Sequence, residues 1–245
     1  MMEAWGLTDP GNLRETNQDD FRITKIGEKA LLAVVCDGMG GAKSGNVASK
    51  LASEVFSEEI KRSFSLDMTP EEVERVLRSA VSLANITVYE QSQLSEEYSG
   101  MGTTLVAALV YKKGILVVNV GDSRAYHINP DGINCITIDH SVVELMVQRG
   151  ELTPEQAKLH PRKNLITRAV GTTPQVMSDV FYVDVKKNDC LLLCTDGLSN
   201  EMADQEILFE VVHGARMDDC CQRMLEIVKE RGAPDNVTSV LIALT

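Results

Sequence analysis

The chain has 245 residues, enough for one large domain with a sizeable core, and its 36 acidic against 24 basic residues give a formal charge of −12. That balance excludes a nucleic-acid binder, whose face must be basic to meet phosphates; it suits plain solubility or a protein that gathers carboxylates around cations. The amino-terminal Met-Met-Glu-Ala-Trp lacks the regions of a signal peptide, and no apolar run approaches the ~18 residues that cross a bilayer, so a soluble, cytoplasmic protein with no membrane partner is expected.

Residues 3–8 read as a short strand and 21–26 alternate apolar with polar, as a half-exposed strand does. The loop between them holds Arg14, Asp19 and Asp20, and arginine is suited to a forked grip on phosphate. Next comes Leu31-Leu32-Ala33-Val34-Val35-Cys36-Asp37-Gly38-Met39-Gly40-Gly41. Six apolar residues in a row predict a strand buried on both faces, and Asp37 is the first charge to leave the core. Asp-Gly alone is a turn signal, and Asn129-Pro130-Asp131-Gly132 between two strand-like runs is one such plain turn. Gly40-Gly41-Ala42-Lys43-Ser44 resembles a nucleotide-binding P-loop only superficially, because Asp37 and Ala42 occupy positions that need glycine.

Helical spacing over 47–60 and 73–88 predicts two amphipathic helices, the second started by Thr69 as cap, Pro70, Glu71 and Glu72. From Gly102 the period switches to strands, over 103–111, 115–120 and 124–128, as in an antiparallel meander. Residues 139–174, opening with Asp139-His140-Ser141, are locally basic and read as an irregular surface flap. Strands at 180–185 and 191–194 run into Thr195-Asp196-Gly197; helical stretches around 207–212 and 220–228 precede Asp235-Asn236 and a last strand, 237–244. The fold class expected is α+β: two packed antiparallel sheets flanked by helix pairs, with no linker or repeat dividing residues 1–245. Six cysteines, Cys36, Cys135, Cys190, Cys194, Cys220 and Cys221, lie mostly in apolar runs without zinc spacing, and read as small buried hydrophobes in a reducing compartment.

Asp37, Asp122, Asp196 and Asp235 each stand where an apolar strand begins or ends, so an antiparallel fold can bring all four to one edge. Carboxylates gathered there repel unless cations neutralise them, and oxygen-only ligands select Mg²⁺ or Mn²⁺. Two such ions ~4 Å apart activate water and polarise a phosphoryl oxygen, which is the chemistry of phosphate-ester hydrolysis.

The set Arg14-x-x-Asn17-Gln18-Asp19, Asp37-Gly38-Met39-Gly40-Gly41, Gly102-Thr103-Thr104, Gly121-Asp122-Ser123-Arg124, Asp139-His140-Ser141, Asp196-Gly197 and Asp235-Asn236 resembles the metal-dependent PP2C (PPM) family of protein serine/threonine phosphatases, in its compact bacterial form. The resemblance implies an α-β-β-α four-layer sandwich with a flap and a two-metal centre. By position, Asp37 resembles the aspartate that bridges both metals, Gly38 the carbonyl beside it, and Asp196 and Asp235 ligands of the first metal. Asp122 with Asp196 resembles the pair that holds a third, weaker metal. Arg14 resembles the arginine that holds the substrate phosphate, Asp19 an acid near the metal waters, and His140 and Ser141 stand as flap-root candidates for substrate contact. A metal-bridging hydroxide attacks phosphorus directly in the implied mechanism. The implied partners are phosphorylated proteins and an opposing Ser/Thr kinase, with monomer as the default state. Two departures stand out: Ala42 and Asn46 replace a histidine and a glutamate common in bacterial members, and Met39, as is common in bacterial members, stands where some eukaryotic members have a histidine proposed as the acid, so no side chain stands out as the general acid. A catalytically weak module that binds metal or phosphoprotein as a regulator is the competing reading, and the retention of every aspartate and of Arg14 favours an active enzyme.

Overall fold

The structure, a computed structural model, describes residues 2–41 and 44–244. Ala42 and Lys43, the heart of the rejected P-loop, lie outside the described residues. In chain order the elements are β1 (Met2–Asp9), β2 (Asp19–Ile26), β3 (Ala30–Met39), α1 (Gly45–Ser63), α2 (Pro70–Ser92), β4 (Gly102–Thr103), β5 (Leu105–Tyr111), β6 (Gly114–Val120), β7 (Arg124–Asn129) and β8 (Gly132–Cys135). Then follow α3 (Val142–Gln148), α4 (Pro154–Lys158), β9 (Asp179–Val183), β10 (Cys190–Cys194), α5 (Asp196–Ser199), α6 (Asp204–His213), α7 (Cys220–Glu230) and β11 (Val237–Leu244).

The strands form two antiparallel sheets, a first of order β2-β3-β5-β6-β9, with β4 on the end of β3, and a second of order β1-β11-β10-β7-β8. Period-two alternation explains why the central strands are apolar throughout. On β3, Leu32, Val34 and Cys36 face α1 and α2, while Leu31, Ala33 and Val35 face the other sheet. On β10 and β11, Leu192 and Leu241 pack towards α6 and α7, whereas Leu193 and Val240 meet the first sheet. Three apolar layers therefore alternate with four layers of backbone, in the order helices, sheet, sheet, helices. Full burial of each large aliphatic side chain contributes about 1.5–3 kcal/mol, so the inter-sheet layer is a large part of what holds the two sheets together.

Two sequence expectations need correction. The strand expected over 103–111 is split at Thr104, whose N–H donates to the Asp37 carbonyl (2.8 Å) while its Oγ1 accepts from the Asp37 N–H (2.9 Å). Both Thr104 backbone and side chain are thus spent on the end of β3. The 139–174 excursion is neither irregular nor wholly superficial: it contains α3 and α4, and its return limb re-enters the core at Val170, fully buried and paired with Thr103. Only the part between these ends, the flap stretch, is largely exposed. Cys135, at the end of the edge strand β8, is exposed, while the other five cysteines are buried as expected. The Asp131-Gly132 turn behaves as a plain Asx turn, with Asn129 Oδ1 accepting from both backbone N–H groups.

Candidate active site

One end of the sandwich collects the aspartates because five segments start or stop there. Asp19 opens β2 and sits opposite Asp37 near the end of β3. Asp122 precedes β7, Asp196 follows β10, and Asp235 precedes β11, and these three strands are neighbours in the second sheet. Antiparallel pairing places those beginnings and ends on one edge. Gly38 is packed against backbone on both sides: a Cβ there would lie 2.1 Å from the Gly45 carbonyl and 2.5 Å from that of Gln18.

Asp19 is buried at 4% exposure; its Oδ2 accepts from Thr238 Oγ1 (2.7 Å) and Thr195 Oγ1 (2.9 Å), and its Oδ1 has no partner. Burial, opposed by those hydroxyls and aided by Asp196 and Asp235, pushes the Asp19 carboxyl up to about 7. Desolvation pushes Asp37 well above the ordinary carboxylate range, with Asp19, Asp196, Asp122 and Asp235 adding to the repulsion. Asp122 is likewise pushed up to about 8, first by burial and then by Asp196 and Asp139. Burial also raises Asp196, followed by the charge of Asp235, while contact with Asp37 and the charges of Arg124 and Lys163 draw it part of the way back. The structure therefore brings the predicted carboxylates into one mutually repelling group.

Arg14 stands at the mouth of this group, its Nη2 2.9 Å from Asp235 Oδ2, with both side chains partly exposed. That hydrogen bond, and then the Asp235 charge, raise the Arg14 pKa, and Asp37 and Asp196 act in the same direction. Asn236 fastens the Arg14 loop: its Oδ1 accepts from Gln18 N (2.8 Å), and its Nδ2 donates to the Pro10 and Thr16 carbonyls. From the carboxylates a cleft of about 650 Å³ runs under the flap, lined by Asp122, Asp196, Ser141, Lys158 and Lys163 among others.

His140 does not stand where a substrate contact would require. Its ring is 5% exposed, Nδ1 accepts from Gly121 N (3.0 Å), and the remaining N–H at Nε2 faces Asp179 Oδ2 at 3.1 Å. Burial lowers its pKa, so the neutral ring serves the interior. Ser141 lines the cleft, but its hydroxyl accepts from Glu144 N (3.2 Å) as the cap of α3. Asn46, the departure from the bacterial pattern, lies in the first turn of α1 with a buried, unpartnered Oδ1.

Sequence reasoning quoted several supporting residues without giving them work. Thr104 Oγ1 lies 2.7 Å from Ser123 Oγ, which links the end of β3 to the turn carrying Asp122. Arg124 grips Asp139 through Nε (3.0 Å) and Nη2 (2.7 Å). Thr195 was quoted only as the neighbour of Asp196-Gly197, and Thr238 not at all; their sequence signal is a hydroxyl at the end of an apolar strand.

The donor set fits hard cations. Every candidate ligand is an oxygen, one Asp19 oxygen is buried without a partner, and the group is held together against its own repulsion. Among the described residues no three His, Cys, Asp or Glu side chains close a metal cage by themselves. Mg²⁺-like ions need no such cage, because they keep several waters and use only one or two carboxylates each.

Comparison with known proteins agrees with this geometry. A family model described as Protein phosphatase 2C matches residues 14–241. The serine/threonine phosphatase stp of Listeria innocua is 36% identical over 244 residues, spanning 98% of this chain and 95% of that protein. Protein phosphatase PhpP of Streptococcus pneumoniae is 31% identical, spanning 99% and 98%. Among solved structures, the serine/threonine phosphatase Stp1 from Staphylococcus aureus superposes with a TM-score of 0.92 at 37% identity, over 100% of this chain and 96% of that one. PstP/Ppp from Mycobacterium tuberculosis gives 0.87 at 31% identity, over 99% and 98%. Strand order, carboxylate edge and full-length relatives lead to one conclusion: the chain belongs to the protein phosphatase 2C family.

Proposed function

We propose that this chain is a phosphoprotein phosphatase that hydrolyses phosphoserine and phosphothreonine in proteins with the help of divalent cations. The observation that carries the reading is the gathering of Asp19, Asp37, Asp122, Asp196 and Asp235 at one edge, beside a phosphate-competent Arg14. Metal dependence is a property of the family. Mn²⁺ or Mg²⁺ would be held at two central positions by Asp37, the Gly38 carbonyl, Asp196 and Asp235, and at a third, weaker position by Asp122 with Asp196. When bound, the ions supply activation of water at neutral pH and polarisation of the phosphoryl group.

The chain's own residues do the rest. Arg14 is already aimed at an anionic oxygen, that of Asp235, and exchanges this partner for substrate phosphate, stabilising charge as the ester bond breaks. Thr195 and Thr238 hold Asp19 in a fixed orientation behind the ligands. Arg124, and to a smaller degree Lys163 from the flap side of the cleft, add positive potential at Asp196. The partners in this reading are phosphorylated cytoplasmic proteins and the Ser/Thr kinase that modifies them, with the enzyme acting as a monomer. No helix among the described residues is long and apolar enough to cross a membrane.

The test is hydrolysis of a phosphothreonine peptide after stripping with EDTA, with and without added Mn²⁺. Activity that disappears on chelation and returns with Mn²⁺ is expected. Mn²⁺ binding without turnover overturns the proposal in favour of a regulatory module.

A further inference from the structure

The turn Gly121–Arg124 carries Asp122, and its two ends are held by two adjacent residues at the root of the flap. At the first end, His140 grips Gly121 twice: the ring Nδ1 accepts from Gly121 N (3.0 Å), and the His140 backbone N–H donates to the Gly121 carbonyl (3.0 Å). At the other end, Asp139 holds the Arg124 guanidinium in a forked pair. Gly121 has φ of +109°, and a Cβ there would lie 2.5 Å from the Thr104 side chain, so this turn has no slack of its own. The same histidine also gathers the flap. Its carbonyl accepts from Thr167 N on the return limb (2.7 Å), and its ring N–H meets Asp179 on β9, to which Arg168 is also paired (3.0 Å).

We propose that His140 is a positioning residue: it fixes the Asp122 turn relative to both limbs of the flap, so that the weakest cation position, built on Asp122 and Asp196, depends on it. This rests on the metal-dependent reading above and gives the Asp139-His140-Ser141 motif its work. Asp139 and His140 set the ligand turn, and Ser141 starts the flap's first helix. A neutral ring suits the task, because Nδ1 must stay unprotonated to accept from Gly121. Groups that orient a ligand from behind are worth about 10–100-fold in metal affinity.

The experiment is calorimetric titration of Mn²⁺ into metal-stripped protein, read beside thermal unfolding. H140A should weaken the weakest Mn²⁺ site at least about tenfold, and H140N, whose Oδ1 replaces Nδ1 as the acceptor from Gly121, should recover most of that loss. In a D122A background, H140A should leave the remaining Mn²⁺ sites as they are in D122A alone. Equal weak-site affinity in H140A and wild type overturns the proposal, and so does a loss that persists in the D122A background, since His140 would then act on the fold at large. Should H140A not fold, H140Q takes its place, because its amide reaches towards Asp179 and leaves the Gly121 N–H without its acceptor. Wild-type protein that takes up no Mn²⁺ overturns the metal reading itself, an outcome distinct from all of these.

Discussion

At the scale of single residues, the site is a contest between desolvation and repulsion on one side and cations on the other. Asp37 feels four other carboxylates, so Asp37→Asn should leave the fold intact by circular dichroism while lowering turnover by at least about a hundredfold. Arg14→Ala should act on substrate capture, raising KM for a phosphopeptide without loss of stability, because the side chain is exposed and, among the described residues, pairs with Asp235 alone. Gly38→Ala is a structural test: backbone carbonyls on two sides would meet the new methyl, and overpacking of that kind costs about 1–3 kcal/mol in a denaturant melt. Asp37, Asp122, Asp196 and Asp235 were legible because each stands where an apolar strand begins or ends, whereas Asp19, in a polar loop, was marked only by the family resemblance. The orientation of His140 was not legible. Sequence spacing names a titratable residue beside a site, but only the paired Gly121 backbone reveals that the ring turns inward.

Helices and strands were legible to the degree that their periodicity was complete. α2 was announced by Thr69, Pro70 and Glu72, and the structure has the full capping box, with Thr69 N donating to Glu72 Oε2 at 2.8 Å. Thr69→Ala should therefore cost about 1 kcal/mol of stability, measured by the denaturant midpoint, with kcat unchanged, because this cap is remote from the carboxylate edge. The same signal, Thr153, Pro154 and Gln156, starts α4. That helix spans only Pro154–Lys158, too short for an apolar stripe to emerge, and so it was read as loop. The split between β4 and β5 was invisible for a different reason: Thr104 has a strand-like side chain, and only tertiary hydrogen bonds to Asp37 show that its ladder is interrupted.

For the whole molecule, the carboxylate edge sets how stability responds to pH. Asp19 and Asp122, at about 7 and about 8, hold protons in the folded chain that the unfolded chain releases near pH 4. Between those limits the folded state binds more protons, so the stability of metal-stripped protein should fall as pH rises from about 4 to about 8. Mn²⁺, which binds the ionised carboxylates, should offset that decline, and melting curves across this range with and without Mn²⁺ would reveal it. A flat apo profile would refute the proton count.

The pairing of β1 with β11, residue Met2 opposite Leu244 and Asp9 opposite Val237, bears on how the chain reaches this state. A nascent polypeptide can assemble the β3, β5 and β6 ladder with α1 and α2 while its later half is still being made, because those contacts are nearer in sequence. The second sheet must wait for its last strand, which lies between β1 and β10 and supplies the partner of both. Since Asp235 lies just before that strand, and Arg14 and Gln18 are tethered through Asp235 and Asn236, the aspartate group forms only once β11 has been made. Closure of the second sheet and assembly of the aspartate group are therefore one event, and a chain cut before β11 would have neither.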